Sequence, residues 1–207
     1  MENKKEQIKD FWNSSCHDYD EHMQNTQHYK AQEKLLNITL SYFHQPILDI
    51  ASGTGFLVKK LKETFTEIHA NDFSTEMTKN LIKELSDITI TNDDAELLSS
   101  YKENSIHTIF CCNAFFYLQN RKDSMSRWSQ ILIPKGRIIL FEEYPFINTQ
   151  NQVFDKHTEN LNSLVDPISP TEIKKIATEN NFDLIFEEKT DIDNHHKLYA
   201  LVFQKKY

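Results

Sequence analysis

Glycine is scarce in this chain, with three in 207 residues, and proline (five) and cysteine (three) are scarce too. No Gly/Ser/Pro tract reads as a linker and no segment repeats, so one continuous domain with room for a substantial core is expected. No apolar run approaches the ~18 residues of a membrane span, and the opening Met-Glu-Asn-Lys-Lys-Glu lacks the apolar core of a signal peptide. Cys16, Cys111 and Cys112 have no metal or redox spacing, which points to a reducing cytoplasmic setting and no bound metal. Lys and Arg (23) fall short of Asp and Glu (31), and the net charge of −8 argues against a nucleic-acid surface. Small molecules are the expected partners, with the chain a monomer or homodimer. Apolar residues at 39% and aromatics at 12% suit a folded protein.

What glycine there is concentrates in one place. Residues 45 to 61 read as a buried strand (Ile47, Leu48, Ile50), a tight turn through Gly53 and Gly55, and a helix carrying Phe56, Leu57 and Leu61 inward. Glycine permits positive φ and close approach of a ligand to the backbone. The helix that follows would point its amides at an anionic group. A dinucleotide fingerprint needs a third small residue, and Val58 stands there. Asp49, at the strand's end, is out of place beside a pyrophosphate and suits a cofactor with a cationic head.

The stretch Leu48-Asp49-Ile50-Ala51-Ser52-Gly53-Thr54-Gly55 resembles motif I of the class I S-adenosylmethionine (SAM) methyltransferases, with Ala51 in the first glycine slot. Asn71-Asp72-Phe73-Ser74, followed by Met77, is similar to the family's second motif. Asp93-Asp94-Ala95-Glu96-Leu97 is similar to its adenine-binding segment, with the register between Asp93 and Asp94 left open. Leu132-Ile-Pro-Lys-Gly136 matches the turn before its fifth strand, so all three glycines fall at family turns. His107 replaces an aspartate common in the fourth strand. The resemblance covers residues 45 to 142 by motif and the remainder by order of elements.

The resemblance implies an α/β fold: a doubly wound, mostly parallel seven-stranded sheet with an antiparallel last strand, helices on both faces, and an N-terminal helical lid. The divisions expected are a lid over 1–44, a cofactor core over 45–142, a substrate-side insertion over 143–168, and a closing helix and strand pair over 169–207. It implies transfer of the SAM methyl group to a small molecule, leaving S-adenosylhomocysteine (SAH). A protein that binds SAM without catalysis, or uses it for another reaction, is the alternative. The implied cofactor contacts are Asp49, Ala51, Ser52, Gly53, Thr54, Gly55, Asp72, Phe73, Met77, Asp94, Ala95 and Asn113. Phe115, Phe116, Tyr117 and Tyr144 are expected on the substrate side, as an aromatic wall for an apolar acceptor. Tyr19 and Glu143 are the residues expected to reach the substrate side, with His17, His28, Tyr117, Glu142, Glu143 and Tyr144 as candidate bases.

Two segments outside the motifs carry signals of their own. Ile8, Phe11 and Trp12 share a helical face, and a second helix over 28–43 should turn Ala31, Leu35, Leu36 and Ile38 inward. Ser169-Pro170-Thr171-Glu172 is a helix start with its own capping box. Cys111 and Cys112 read as core residues of the fourth strand, and His195-His196 as a solvated hairpin tip.

Overall fold

The computed structural model describes residues 3–146 and 161–207. Seven strands form one sheet: β1 (Ile47–Ile50), β2 (Ile68–Asn71), β3 (Thr89–Thr91), β4 (Ile106–Cys112), β5 (Leu132–Tyr144), β6 (Phe182–Asp191) and β7 (Lys197–Lys205). Their order is β3-β2-β1-β4-β5-β7-β6. The first five run parallel, while β7 is antiparallel to both β5 and β6. This is the doubly wound sheet expected, including its antiparallel final strand.

The helices follow from the sequence signals. They are α1 (Lys4–Ser15), α2 (Tyr19–Asn25), α3 (His28–Thr39), α4 (Phe56–Lys62), α5 (Thr75–Glu84), α6 (Arg121–Ile131) and α7 (Pro170–Glu179). Ser74 caps α5 by accepting from the Met77 amide, and Ser169 with Glu172 closes the full capping box of α7. Successive side chains of the central strands alternate between two cores. Leu48, Ile50, Ile109, Ile138 and Leu140 pack with Met125 and Trp128 of α6 and Ile173 of α7. Ile47, Phe110, Ile139 and Phe141 pack with Leu35 of α3 and Leu57, Val58 and Leu61 of α4. Both faces are covered, so these strands are apolar at successive positions. Val58, where a dinucleotide fold would need a small residue, is fully buried in that second core.

Two expectations need correction. Ile38 is 42% exposed, because the buried stripe of α3 runs through Gln32, Leu36 and Thr39 and Ile38 lies about 100° round the helix from Thr39. Phe43, past a 3-10 turn at Leu40–Tyr42, is buried instead. The fifth strand begins at Leu132 rather than Arg137, since the Pro134-Lys-Gly136 turn is absorbed into it as an irregularity opposite Ile106 and Thr108. Most of the expected substrate-side insertion lies outside the described residues. Its end does not: Leu164, Val165 and Ile168 are buried, the last two in the α6 core. Among the described residues no helix is long and apolar enough to cross a membrane.

The two turn glycines differ in what surrounds them. Both have positive φ, +55° at Gly53 and +84° at Gly55. A Cβ on Gly55 would sit 2.3 Å from Cδ1 of the fully buried Leu81, whereas at Gly53 the nearest atom is 3.7 Å away on Tyr19. Gly55→Ala therefore combines backbone strain with overpacking, and a loss of about 2–4 kcal/mol is expected in urea unfolding. Gly53→Ala carries the backbone cost alone, about 1–2 kcal/mol. Equal losses would show that the Leu81 contact is not what demands glycine.

Candidate functional site

The site is built where the parallel strands end. Just past β1, β2 and β4 a backbone amide donates to the neighbouring strand: Ser52 N–H to the Asn71 carbonyl (3.0 Å), Asp72 N–H to Thr91 (3.1 Å) and Asn113 N–H to Phe141 (2.7 Å). These bonds hold the exit loops at one edge. Asp72 joins two of them, its carboxylate accepting from the Gly53 amide and from the Ser74 amide, both at 2.8 Å. Three residues of the first loop, Ala51, Gly53 and Gly55, have positive φ. The carboxyl edge of such a sheet is where ligands bind, and a cavity of about 920 Å³ opens there.

Most of the expected contacts meet in this cavity. Ala51, Gly53, Asp72, Phe73 and Met77 line one side, and Asp94, Ala95 and Asn113 another. Tyr19 and Tyr117 stand at its wall. Asp49, Ser52 and Thr54 line a smaller neighbouring space of about 320 Å³, which shares Tyr19, Ala51 and Cys112 with the first. Asp93 and Asp94 differ in their surroundings. Asp93 accepts from the Ser100 amide (2.7 Å) and hydroxyl (3.1 Å), away from the cavity, while Asp94 lines it.

Other expected positions lie elsewhere. Gly55 borders neither space and serves to pass Leu81. Phe115 and Phe116 are buried in the α6 core rather than forming a wall, because a 3-10 turn rolls them inward and leaves Tyr117 facing the cavity. Tyr144 is 38% exposed at the end of β5 and borders neither space. Glu143 is buried outside the cavity lining, with its carboxylate 3.1 Å from His28 Nε2 and its amide donating to Asn113 Oδ1 at 2.9 Å. His17 is exposed on the α1–α2 connection. Cys111 and Cys112 both border the cavity, in addition to their place in the strand.

The sequence reading missed the contribution of α1. Lys5, Ile8, Lys9 and Trp12 form a continuous helical stripe, and all four line the cavity. Ile8 and Trp12 were visible as an apolar face; the two lysines at the same spacing were not, because lysine on a helix ordinarily signals solvent. Lys5 Nζ sits 2.7 Å from Asp94 and 3.0 Å from Glu96. Lys9 lies 4.8 Å above the Phe73 ring, and Asn13 Oδ1 accepts from the Ser74 hydroxyl at 2.7 Å. None of the α1 residues is buried.

Burial dominates the electrostatics. Asp49 is 2% exposed with no hydrogen-bond partner among the described residues, and burial, reinforced by the Asp72 charge, holds its carboxyl well above the usual range. Burial lifts Asp72 to about 6 against the opposing pull of the Ser74 and Gly53 amides. Glu142, 1% exposed, accepts from the amides of Ala114 (3.2 Å) and Phe115 (2.8 Å) through Oε1 and leaves Oε2 unpartnered. Burial raises it to about 8. The same desolvation, helped by Glu142, raises the Cys111 and Cys112 thiols, so neither is a thiolate nucleophile at neutral pH. The hydroxyl of Ser52 is also buried without a partner. An unsatisfied carboxyl and hydroxyl beside a glycine turn fit a ligand that bears an ammonium and further polar groups.

The comparisons agree with this geometry. A sequence model of the family described as "Methyltransferase domain" matches residues 48–140. A methyltransferase of Geobacillus sp. (strain WCH70) is 25% identical over 195 residues, 89% of this chain and 90% of that protein. One from Geobacillus kaustophilus is 26% identical over 136 residues, 65% of this chain, and the match spans 62% of that relative's length. Phosphoethanolamine N-methyltransferase 2 of Haemonchus contortus, solved in complex with SAM, superposes with a TM-score of 0.65 at 16% identity, covering 78% of this chain and 48% of that one.

Glu142 offers a test of the site's electrostatics. Its folded-state pKa, about 8, lies above the ordinary 4.5, so its contribution to stability is complete below about pH 4.5 and is lost as pH rises toward 8. Glu142→Gln keeps the acceptor oxygen and removes the charge. The wild type is expected to lose stability relative to this variant between pH 5 and 8, by on the order of 2 kcal/mol. Parallel unfolding curves across that range would show that Glu142 does not titrate there.

Proposed function

We propose that this chain is a class I SAM-dependent methyltransferase that transfers the SAM methyl group to a small-molecule acceptor within the cavity at the carboxyl edge of its sheet. The observation that carries the reading is the convergence of the Gly53 turn, Asp72 and the Asp94-Ala95 pair on one cavity. When bound, SAM supplies a methyl group already activated by its sulfonium. The protein's task is therefore alignment and exclusion of water.

Each residue has a role that its surroundings support. Asp49, buried and unpartnered, meets the cofactor's ammonium, and the amides and hydroxyls of Ser52, Gly53 and Thr54 meet its carboxylate. Asp72 accepts from the ribose diol, as a carboxylate at the end of a second strand can. Phe73 and Met77 pack on the nucleoside, Asp94 accepts from the adenine amine, and the Ala95 amide supports the ring. Asn113 borders the methyl group and, by accepting from the Glu143 amide, is fixed to β5. The helices of residues 1–44 cover the mouth. Tyr19 reaches the acceptor from this cover, while Glu143 acts by holding His28 and Asn113.

Lys5 stands where the adenine amine would donate, since Asp94 Oδ2 is already held by it. Cofactor entry and release of Lys5 are then one exchange. Thermal unfolding with saturating SAH is expected to raise Tm by about 5–11 °C, and Asp72→Ala should abolish the shift. Lys5→Ala should tighten SAH binding about two- to tenfold at low salt and by less at high salt. No shift in the wild type would remove the basis for the methyl-transfer reading. Weaker binding by Lys5→Ala would show that the lysine holds the helix shut over the cofactor rather than competing with it.

A further inference from the structure

The acceptor end of the cavity is walled by rings. Trp12 on α1 meets Tyr19 at the start of α2 with ring centroids 5.6 Å apart and planes at 90°. It meets Tyr117 after β4 at 5.9 Å, again at 90°. The three rings come from three separate elements, line the same cavity and make two right-angled corners that share Trp12. An apolar acceptor needs only apolar surface, which leucine or isoleucine would supply. Perpendicular aromatic faces add the ring quadrupole, which attracts a desolvated cation.

The charges around the rings favour a cation too. Lys5 sits between Asp94 and Glu96 and keeps Glu96 as its partner when the adenine amine takes Asp94, and Lys9 lies on the Phe73 side, so both belong to the adenine end. Beyond Tyr117 lie the buried carboxyls of Glu142, which burial keeps largely protonated at neutral pH, and Glu143, and burial first, then these two groups, keeps the Tyr117 phenol protonated. Arg121, whose charge acts on Glu142, is spent on the carbonyls of Phe115, Phe116 and Asp166. An acceptor that must become a thiolate or phenolate would find no free cation among these groups and two acids nearby. An amine needs no anionic form.

We infer that the acceptor is an amine, recognised as its ammonium by the Trp12, Tyr19 and Tyr117 rings. This rests on the methyl-transfer reading and names the substrate class of that site, in place of the apolar acceptor first expected. A primary, secondary or tertiary ammonium gives one proton to solvent. The nitrogen lone pair then forms the new N–C bond while the methyl group's bond to sulfur breaks and its electron pair stays on sulfur. The products are the N-methylated ammonium and SAH. The rings bind the ammonium on entry and the more highly methylated product as well, so product inhibition by quaternary ammonium follows from the same contacts.

The test uses the whole chain saturated with SAH, so that no turnover occurs. Choline and the uncharged alcohol in which carbon replaces its nitrogen are titrated in parallel by calorimetry. Choline should bind at least about tenfold more tightly than the carbon analogue, as a cation–π contact in a desolvated site requires. Trp12→Leu should weaken choline about tenfold, Tyr117→Phe should leave it within about twofold, and SAH affinity should hold within about twofold in both. Trp12 lies on a helix with no buried residue, and its variant can be checked for an unchanged unfolding curve. Equal binding of the two probes, or no loss in Trp12→Leu, would mean that the rings wall off an apolar acceptor and would overturn the inference. So would a Trp12→Leu variant that loses affinity for SAM but not for SAH, since the rings would then serve the sulfonium. Failure of SAH itself to bind, seen before any choline is added, would instead sink the methyl-transfer reading.

Discussion

The two hydrogen bonds of the Asp72 carboxylate are the constraint on which the rest of the site depends. One fixes the Gly53 amide and the other the Ser74 amide, so a single side chain sets the β1–α4 loop and the start of α5 together. Ser74 then caps α5 and, through its hydroxyl, receives α1 at Asn13. Three elements distant in sequence are thus referred to one carboxylate. Its cost is that Asp72 must be ionised to accept both bonds well, in a place where burial favours the neutral form.

That tension recurs across the site. Asp49, Asp72 and Glu142 are all buried acids; Asp49 receives no side-chain hydrogen bond among the described residues, and in the other two burial outweighs the hydrogen bonds received. A fold selected for stability alone would replace them with neutral residues of the same shape, since unpaired buried charge is among the costliest features a protein carries. Ala51 adds backbone strain, occupying a positive φ of 55° where glycine would be free of it. The buried acids and Ala51 gather at the carboxyl edge of the sheet, although Leu98 in the α6 core also carries a positive φ, of 43°. Such clustering is expected where binding, rather than folding, fixes the residues.

Much of this was legible in the sequence, and for a physical reason. Strand–turn–helix units with buried strands impose apolar runs, and a chain with three glycines advertises the turns that cannot do without them. The doubly wound class of the sheet followed from the resemblance, and the cap at Ser169 and the place of Asp72 at the end of the second strand from local pattern, while the register between Asp93 and Asp94 stayed open. The errors came from side-chain direction. Phe115 and Phe116 sit at the right strand end, but the turn that carries them rolls inward. Gly55 is in the motif yet answers to Leu81 rather than to a ligand. Lys5 was invisible because its significance depends on Asp94, 89 positions away, and no local rule reports such a pair.

The α1 seam follows from the same logic of pairing. This helix buries none of its own residues, and it meets the body through Lys5 with Asp94 and Glu96, Lys9 with Phe73, Trp12 with Tyr117, and Asn13 with Ser74. An apolar seam would close the cavity for good, because each buried side chain adds about 1.5–3 kcal/mol with nothing in a ligand to compete for it. Polar ties of this exposure contribute far less each, and two of them end on groups that the cofactor itself would use. A ligand with an amine at Asp94 and an aromatic base near Phe73 replaces those ties as it enters. Closure is thereby set against binding in the same chemical terms, and a chain held together elsewhere by two large apolar cores can leave this one seam exchangeable.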